Sequence, residues 1–386
     1  AGISLEAVEL AASRCKDSLV CFRAQLIGGK LYITDIRALW FTRRETPSWK
    51  VTLLDTVRRH PDLPDFDAVF NQGDYPVAVH PRDRAHHQRM YGEAGIPPLF
   101  TATAAGYALD IAWPDFSFEF PKGRQHELRT PRWEEAREGV LKADAELTWE
   151  GKLPRAAFTG NTDHAEYRQR LMHAAEANPA TMFFNDVRVK AAAGGVSCID
   201  HAQSTGTELR GVLRDTCGLS FPEMCRFRYL LNAAANCYAN KLKYLLLCRS
   251  VVIVVREGYT CREFFEPMLL PGVHYIAVQR PEDVPGVVRE LEADPRRARA
   301  IAEAGAARMA QMDTAEVARY TSSVLREYAR MQRFEPARLP GSARVLCEDD
   351  IFRHYNYDGD LLGYLQEDNE TCAGEVLPLE PPGWGG

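Results

Sequence analysis

The stretch AAFTGNTDHAEYRQRLMHAAEANPATMFFNDV, residues 156–187, contains a strand, a turn, a helix and a second strand in sequence. Its apolar ends predict buried strands, and its middle predicts a helix. Strands that alternate with helices in this way favour a parallel sheet covered by helices. Gly160 and Asn161 form the turn after the first strand. Such a turn exposes backbone N–H groups at a helix start and can bind an anion, although the same residues also make an ordinary strand-to-helix connection.

The alternation of strands and helices extends over most of the chain. The segment 19–35 predicts two strands joined by a turn at Gly28-Gly29, and a second set of strands and helices begins near residue 151. The later segments predict helices over 239–249, 262–269 and 315–332. We therefore expect two α/β domains, at residues 1–150 and 151–335, followed by a C-terminal extension and loose tail at 336–386.

The composition is that of an ordinary globular protein and excludes some classes of function. Of the 386 residues, 46% are hydrophobic and 26% are charged, and the formal net charge is −6. Nucleic-acid binding usually needs a basic face, so we expect no nucleic-acid partner. The sequence has no apolar stretch of the roughly 18 residues that a membrane span needs, so we expect no transmembrane span in this chain.

The ten cysteines favour disulfides over a metal site. The sequence contains no C-x-x-C pair with zinc spacing, and we expect no bound metal. By proximity along the chain, Cys15 is expected to pair with Cys21, and Cys347 with Cys372. One Asn-x-Thr sequon begins at Asn369. Together these features favour the secretory pathway (endoplasmic reticulum or Golgi lumen) or the extracellular space.

Five segments in order resemble the CAP10-like family of glycosyltransferases, which contains protein O-glucosyl- and O-xylosyltransferases. They are D-I-x-x-P-D-F-S-F at 110–118, F-x-G-N-x6-R at 158–168, C-R-F-R-Y…L-C-R-S-V-V at 225–252, E-F-F…H-Y at 263–275 and P-x-x-x-P-G-S-A-R-V-L-C-E at 336–348. The last segment looks most like the plant and algal branch. The resemblance implies a GT-B fold, in which two Rossmann-like domains face each other across a cleft.

The resemblance also implies a chemistry. A UDP-sugar would be the donor substrate, with no further cofactor, and the sugar carbon would be inverted without a metal. Inversion needs a carboxylate that takes the proton of the attacking hydroxyl. The family's base is the Asp of a D-Y-P turn, which is Asp74 here. The alternative is that Asp74 only forms a turn, which is the common use of an Asp near a Pro.

The donor-binding residues that the resemblance implies are Gly160, Asn161, Arg168, Lys241 and Glu263. Positive charge and N–H donors stabilise a departing diphosphate. The sequence departs from the family at the same site, because Thr159 replaces the Arg of the turn, while Ala235 and Ala239 replace a Gly and a Ser. Lys241 stands where the animal enzymes use Arg, and it would supply a point charge without a bidentate fork.

The segment 110–121 is rich in aromatic residues and interrupted by Pro, so it is predicted to be a loop. Asp110, Trp113 and Phe116 could bind the sugar or the acceptor, and the alternative is an aromatic loop that packs between the domains. Glu119 stands where the family usually has Trp.

Three other patterns are interpreted as structural. Asp65-Phe66-Asp67 is a D-x-D flanking a strand, and strand capping is expected of it rather than metal binding. The segment 356–360 resembles a calcium loop but has its Gly in the wrong register and lacks the final Glu. His274 is expected to tether a strand end.

Two functions remain open at this point. The first is an active glycosyltransferase that transfers a glucose- or xylose-type sugar to a hydroxyl of a protein or glycan. The second is a member that has kept the fold and lost the chemistry, and that serves as a binding or structural subunit of a larger assembly. The departures at Thr159, Ala235 and Ala239 motivate the second function.

Overall fold

The computed structural model describes residues 2–18, 21–37, 46–80, 82, 84–92, 94–119, 132–186, 189–192, 195–198 and 219–353. The chain forms two compact units. Unit 1 comprises residues 1–133 and 314–386, and unit 2 comprises residues 134–313. The segment 356–360 that resembles a calcium loop, the sequon at Asn369 and the tail beyond residue 353 lie outside the described residues.

The elements follow one another along the chain as mixed α and β structure. The strands are β1 (Cys21–Ile27), β2 (Lys30–Arg37), β3 (Phe66–Asn71), β4 (Leu99–Thr101), β5 (Ile111–Ala112), β6 (Leu153–Gly160), β7 (Met182–Asp186), β8 (Val189–Ala192), β9 (Gly195–Cys198), β10 (Phe227–Ala233), β11 (Val251–Val255), β12 (Ile276–Val278) and β13 (Ala343–Arg344). The α-helices are α1 (Leu5–Ser18), α2 (Thr46–Arg59), α3 (Arg84–Tyr91), α4 (Trp133–Ala145), α5 (Glu166–Ala177), α6 (Phe221–Met224), α7 (Leu242–Leu246), α8 (Val284–Ala293), α9 (Pro295–Ala310), α10 (Thr314–Met331) and α11 (Glu348–Arg353).

Unit 1 is built on a six-stranded mixed sheet of order β13-β2-β1-β3-β4-β5. β1 is antiparallel to both β2 and β3, whereas β3, β4 and β5 are parallel. The predicted hairpin turn is confirmed: Gly28 and Gly29 have φ of 55° and 74° between the paired residues Ile27 and Lys30. Glycine adopts these left-handed angles without steric cost, and they suit a two-residue hairpin. The expected α/β class is confirmed, although the sheet of unit 1 is only partly parallel.

Helix α10 lies in unit 1, whereas the sequence predicts that it completes the second α/β set. It packs on α2 and β3. The hydroxyls of Thr321 and Thr56 are 2.7 Å apart, and the Tyr328 hydroxyl donates to the Asp67 carbonyl at 2.9 Å. The spacing of its inward residues predicts an amphipathic helix but does not identify the sheet that covers it.

Unit 2 is built on a fully parallel sheet of order β12-β11-β10-β6-β7. β6, the first strand of this sheet along the chain, lies between β7 and β10, so the strand order reverses between β6 and β10. This is the flavodoxin-like order, in which ligands bind outside the carboxyl ends of the strands at the reversal. β11, with the sequence VVIVV, is buried at every residue, as expected of a strand covered on both faces.

The predicted helix over 262–269 is wrong, since only Glu266–Met268 form a short 3₁₀ turn. The Glu266 carboxylate accepts hydrogen bonds from the Glu263 N–H at 3.0 Å and from the Tyr259 hydroxyl at 2.9 Å. Pro267 provides no N–H with which a helix could continue. The Glu263 and Glu266 side chains therefore turn inward, where they are 1% and 6% exposed.

The disulfide predictions are partly tested. Cys15 pairs with Cys21, as expected. Two further disulfides that the sequence did not predict are Cys225–Cys248 and Cys237–Cys261. Cys347 is also disulfide-bonded, but its expected partner Cys372 lies outside the described residues.

A buried lysine holds the start of β6 in unit 2. The Lys152 ammonium donates to the Asp144 carboxylate at 2.7 Å, to the backbone carbonyls of Cys248 and Arg249, and to the Ser250 hydroxyl at 3.2 Å. Arg249 has a φ of 39°, the left-handed region, which brings these successive carbonyls to one cation. Such backbone angles are uncommon for a residue with a side chain. The ammonium therefore stabilises a turn that the chain would otherwise avoid.

Replacing this ammonium is expected to destabilise the protein. Lys152→Met removes the ammonium from the buried Asp144 carboxylate, which keeps its ion pair with Arg249, and leaves the Cys248 carbonyl without this donor. The free energy of unfolding should therefore fall by about 1–3 kcal/mol. The measurement is urea denaturation followed by tryptophan fluorescence. The control is Lys142→Met on α4, where the side chain is exposed and the change should stay within about 0.5 kcal/mol. Equal midpoints for the two variants would contradict the role of Lys152.

Candidate active site

The carboxyl ends of β6 and β10 in unit 2 bring together four of the predicted donor-binding residues. Gly160 ends β6 and Asn161 follows it, while Arg168 lies on α5 and Lys241 precedes α7. The Asn161 side chain accepts a hydrogen bond from the Asp163 N–H at 2.8 Å and caps the 3₁₀ turn Thr162–His164. The turn therefore follows a strand of a parallel sheet, as the sequence predicts, and its role in ligand binding stays a prediction.

Gly160 and Lys241 meet over the ring of Phe158. A Cβ atom at Gly160 would lie 2.6 Å from that ring and 3.6 Å from the Lys241 Nζ atom, so only glycine fits. The ammonium lies 3.8 Å from the ring centroid and donates to the Thr159 carbonyl at 2.7 Å. Burial, together with the nearby Arg168 charge, lowers the pKa of Lys241 well below its ordinary value. A bound anion would reverse this effect, because an opposite charge favours the ammonium.

Arg168 binds backbone carbonyls. It is 5% exposed, and its guanidinium donates to the carbonyls of Ala234 at 2.8 Å, Ala233 at 2.7 Å and Asn161 at 3.0 Å. The Tyr167 hydroxyl, which no sequence motif indicated, donates to the same Ala234 carbonyl. Arg168 therefore holds the ends of β6 and β10 together and contributes a positive charge to this edge of the sheet.

Glu263 lies in the interior of unit 2. Its carboxylate is 1% exposed and lies 3.6 Å from the ammonium of Lys243, which is fully buried. The Lys243 ammonium also donates to the Asn240 carbonyl at 2.8 Å. Lys241 and Lys243, two residues apart, thus have different surroundings, since one lies beside Gly160 and the other in a buried ion pair.

Asp74 lies in unit 1, in the turn after β3. The Asn71 side chain accepts from the Gly73 N–H at 3.1 Å, and the Thr103 hydroxyl donates to the Asp74 carbonyl at 2.9 Å. These bonds hold the backbone of the turn. Asp74 is half-buried, and the next residue, Tyr75, is exposed. The carboxylate thus belongs to a hydrogen-bonded turn next to an exposed aromatic side chain.

The three residues predicted to bind the sugar or acceptor have different environments. Asp110 accepts hydrogen bonds from the backbone N–H groups of Val77 at 2.9 Å and Ala78 at 2.6 Å, and so holds the chain just after the Asp74 turn. Burial raises its pKa. Trp113 is 0% exposed and packs edge-on against Phe70 and Phe100 in the core of unit 1. Phe116 is half-buried.

Glu119 belongs to a buried charge cluster in unit 1. The Arg132 guanidinium lies 2.8 Å from the Glu119 carboxylate and 3.1 Å from that of Glu348. Burial raises the pKa of Glu119 to about 7, although the neighbouring Arg132 charge acts in the opposite direction. The folded protein therefore retains the Glu119 proton to a higher pH than the unfolded chain does.

This shift predicts a pH dependence of stability. The contribution of a carboxyl group with a raised pKa is fully present below about pH 4.5 and is lost as the pH rises towards 7. Between about pH 5 and pH 7, the urea midpoint of the wild type should fall more steeply than that of Glu119→Gln. Exposed Glu138→Gln is the control and should keep the wild-type slope. Parallel slopes for Glu119→Gln and the wild type would contradict the shift.

Two of the patterns interpreted as structural, the D-x-D and His274, lie in the described residues. Asp65 accepts from the Gly28 N–H at 2.8 Å, and Asp67 pairs with Arg23 at 2.6 Å. His274 accepts from the Leu270 N–H at 2.9 Å next to β12. Within the described part of the chain, no group of three or more His, Cys, Asp or Glu side chains could hold a metal ion. None of the described helices is long and apolar enough to span a membrane.

A parallel sheet with cations and a glycine turn at its strand reversal is typical of α/β proteins that bind phosphorylated ligands. Comparison with known families agrees with this class. The family model of glycosyl transferase family 90 matches residues 1–371. The chain belongs to this family, and the resemblance to CAP10-like glycosyltransferases is confirmed. Its placement in the plant and algal branch stays a prediction.

Two curated relatives are named as O-glucosyltransferases. The O-glucosyltransferase rumi homolog of Anopheles gambiae is 30% identical over 286 residues, covering 71% of this chain and 63% of the relative. Protein O-glucosyltransferase 1 of Homo sapiens is 26% identical over 303 residues, covering 74% of this chain and 67% of the relative. The chain thus spans about two thirds or less of the length of these relatives.

Solved structures give only distant likenesses. Anabaena HepE in complex with UDP and glucose matches 49% of this chain and 52% of its own, with 12% identity and a TM-score of 0.31. Sucrose-phosphate synthase from Thermosynechococcus elongatus matches 65% of this chain and 57% of its own, with 13% identity and a TM-score of 0.28. Likenesses at this level support no argument about the site.

Proposed function

We propose that the protein is an inverting, metal-independent glycosyltransferase that transfers a sugar from a UDP-sugar to a hydroxyl of a protein or glycan. In this proposal unit 2 holds the donor and unit 1 supplies the base. The observation that carries the proposal is the cluster of Gly160, Lys241 and Arg168 at the strand reversal of unit 2, in a chain that belongs to a glycosyltransferase family.

Each residue has a role in the proposed reaction. Asp74 takes the proton of the acceptor hydroxyl as the oxygen attacks the sugar carbon, and the UDP group departs with the bonding electrons. Lys241 contacts the departing diphosphate directly. Arg168 contributes its charge while its N–H groups hold the strand ends, so it acts chiefly as a positioning residue. Glu263 keeps the α7 region in place through Lys243.

The relatives point to a class of sugar and to a location. Both curated relatives described above are named as O-glucosyltransferases, which supports a glucose-type donor, with xylose as the nearest alternative. The disulfides at Cys15, Cys225 and Cys237 support an oxidising compartment, in the secretory pathway or outside the cell. The acceptor is proposed to be a protein, with a glycan as the alternative.

A second candidate function is a family member without activity that binds partners in a larger assembly. The observation that favours it is that the Arg168 guanidinium donates hydrogen bonds to three backbone carbonyls. In addition, Thr159 replaces the family's Arg in the nearby turn. Calorimetric titration with UDP separates the two candidates. Binding supports the transferase, whereas no heat at millimolar UDP supports the inactive member.

The proposed base gives a direct prediction. Asp74→Asn keeps the size of the side chain but removes its basicity, so sugar transfer should fall by at least about 100-fold. UDP binding measured by calorimetry should stay within about twofold, because the donor is held by unit 2. Undiminished turnover would exclude Asp74 as the base.

The matched control for this variant is Asp65→Asn. Asp65 is exposed, lies in the D-x-D and accepts only from Gly28 among the contacts described. Its activity should equal that of the wild type at every concentration of added Mn²⁺. Loss of activity in this variant, restored by Mn²⁺, would favour a metal-dependent reaction instead.

Lys241 predicts that UDP binding is coupled to proton uptake. Burial lowers the pKa of Lys241, and a bound diphosphate would raise it again. A fraction of the Lys241 side chains should therefore take up a proton when UDP binds. Calorimetry in buffers with different ionisation enthalpies, repeated over a series of pH values, should show this uptake between the lowered pKa of the free protein and the higher pKa of the complex. Lys241→Met should abolish the uptake and weaken UDP binding by about tenfold or more.

The control is Lys243→Met, which is expected to change the stability of the protein and not the proton uptake. It leaves the buried Glu263 carboxylate without its ammonium partner, so it should lower the melting temperature, while Lys241→Met should not. In the fraction of Lys243→Met that remains folded, proton uptake on UDP binding should persist. Equal effects of the two variants on uptake would refute the assignment of Lys241.

A further inference from the structure

Three polar side chains form a row across the carboxyl ends of the central strands of unit 2. The row consists of the next-to-last residue of each strand, which is Asn185 in β7, Thr159 in β6 and Asn232 in β10. Thr159 pairs with Asn185. The β10–β6 register runs through the pair Leu230 and Ala157, and two further residues bring Asn232 opposite Thr159. Paired residues of neighbouring strands point to the same face of the sheet.

The row contains buried polar atoms without hydrogen-bond partners among the described residues. These atoms are the Asn185 Nδ2, the Thr159 Oγ1 and both the Oδ1 and Nδ2 of Asn232. Asn232 is 0% exposed, while Thr159 and Asn185 are half-buried. Buried polar groups in native proteins are nearly always paired, and the exceptions require an explanation. A row of three at the ligand-binding edge of a sheet is such an exception.

The row and the cations lie on opposite faces of the sheet. Side chains alternate along a strand, so Thr159 points away from the face of Phe158, over which Lys241 and Arg168 lie. The cations match a diphosphate. The row is neutral and offers both donors and acceptors, because an Asn amide and a Thr hydroxyl provide both. Hydroxyl groups of a ligand match this row, since they also donate and accept.

We propose that the row Asn185–Thr159–Asn232 binds hydroxyl groups of the donor substrate, on its ribose or on its sugar. This inference rests on the proposed function, and it assigns the side chain of Thr159, where the family's Arg is lost, a role in holding the donor. In the protein without ligand, the unpaired polar atoms of the row lower the free energy of unfolding. A bound hydroxyl group supplies their missing hydrogen-bond partners.

The test uses apolar variants of similar shape. Asn232→Leu has the same number of side-chain heavy atoms, and Thr159→Val is the smaller change at a half-buried position. Both should leave the melting temperature without ligand unchanged or higher, because an unpaired polar group is replaced by an apolar one. Both should also weaken binding of UDP-glucose by about tenfold, measured by calorimetry.

The control is Thr56→Val in unit 1. Thr56 is fully buried, but its hydroxyl is paired with the Thr52 carbonyl and the Thr321 hydroxyl. This variant should lower the melting temperature and leave UDP-glucose binding unchanged. If Asn232→Leu and Thr159→Val lower the melting temperature as Thr56→Val does, the row is satisfied within the protein and the inference is overturned.

Titration with UDP alone identifies which hydroxyls are bound. If the variants weaken UDP and UDP-glucose equally, the row binds the ribose, and if only UDP-glucose is weakened, it binds the sugar. Unchanged binding of both ligands would overturn this inference and leave the proposed function standing. A wild-type protein that binds neither ligand would overturn the proposed function and this inference with it.

Discussion

The site depends on one buried guanidinium at the point where the strand order of unit 2 reverses. Parallel strands that end side by side present carbonyl oxygens at their carboxyl edge, and these oxygens repel an anion. Arg168 donates to the carbonyls of Asn161, Ala233 and Ala234, so this edge carries positive charge and the ends of β6 and β10 stay adjacent. The approach of Lys241 to Gly160 and the alignment of the polar row both require those strand ends to be fixed.

A similar arrangement holds the start of β6. There the Lys152 ammonium gathers the carbonyls of Cys248 and Arg249 together with the Asp144 carboxylate. Burying a cation costs free energy unless its N–H groups are all hydrogen-bonded. Here the backbone carbonyls accept those hydrogen bonds, so a single carboxylate is enough. Unit 2 thus has a buried cation near each end of β6. Both cations, Lys152 and Arg168, donate hydrogen bonds to backbone carbonyls. Only N–H groups that are not used in this way can bind a ligand.

Local patterns predict the elements of this fold well, and long-range contacts explain where they fail. The β6–α5–β7 stretch and the Gly28-Gly29 hairpin were predicted because their periodicity and turn residues are local. The 262–269 helix was wrong because Glu263 and Glu266 turn inward to partners that local periodicity does not show. The pattern of α10 fits either sheet equally. At the site, four of the five predicted donor-binding residues lie together, whereas Glu263 lies in the interior with Lys243. The sequence did not predict that Arg168 would bind carbonyls, and donor binding by these residues stays a prediction.

The departure at Thr159 changes how charge reaches the proposed donor site. An Arg at this position would add a charge at any accessible pH, whereas the Thr159 side chain adds none. Lys241, which donates to the backbone carbonyl of residue 159, is then the cation beside Gly160 whose charge can change with pH. Because burial lowers the pKa of Lys241, the charge at this position depends on the occupant. A bound anion would favour the ammonium form of Lys241, and the ammonium would in turn stabilise the anion. In the proposed reaction, the stabilisation is therefore greatest when negative charge on the leaving diphosphate is greatest, which is what transition-state binding requires.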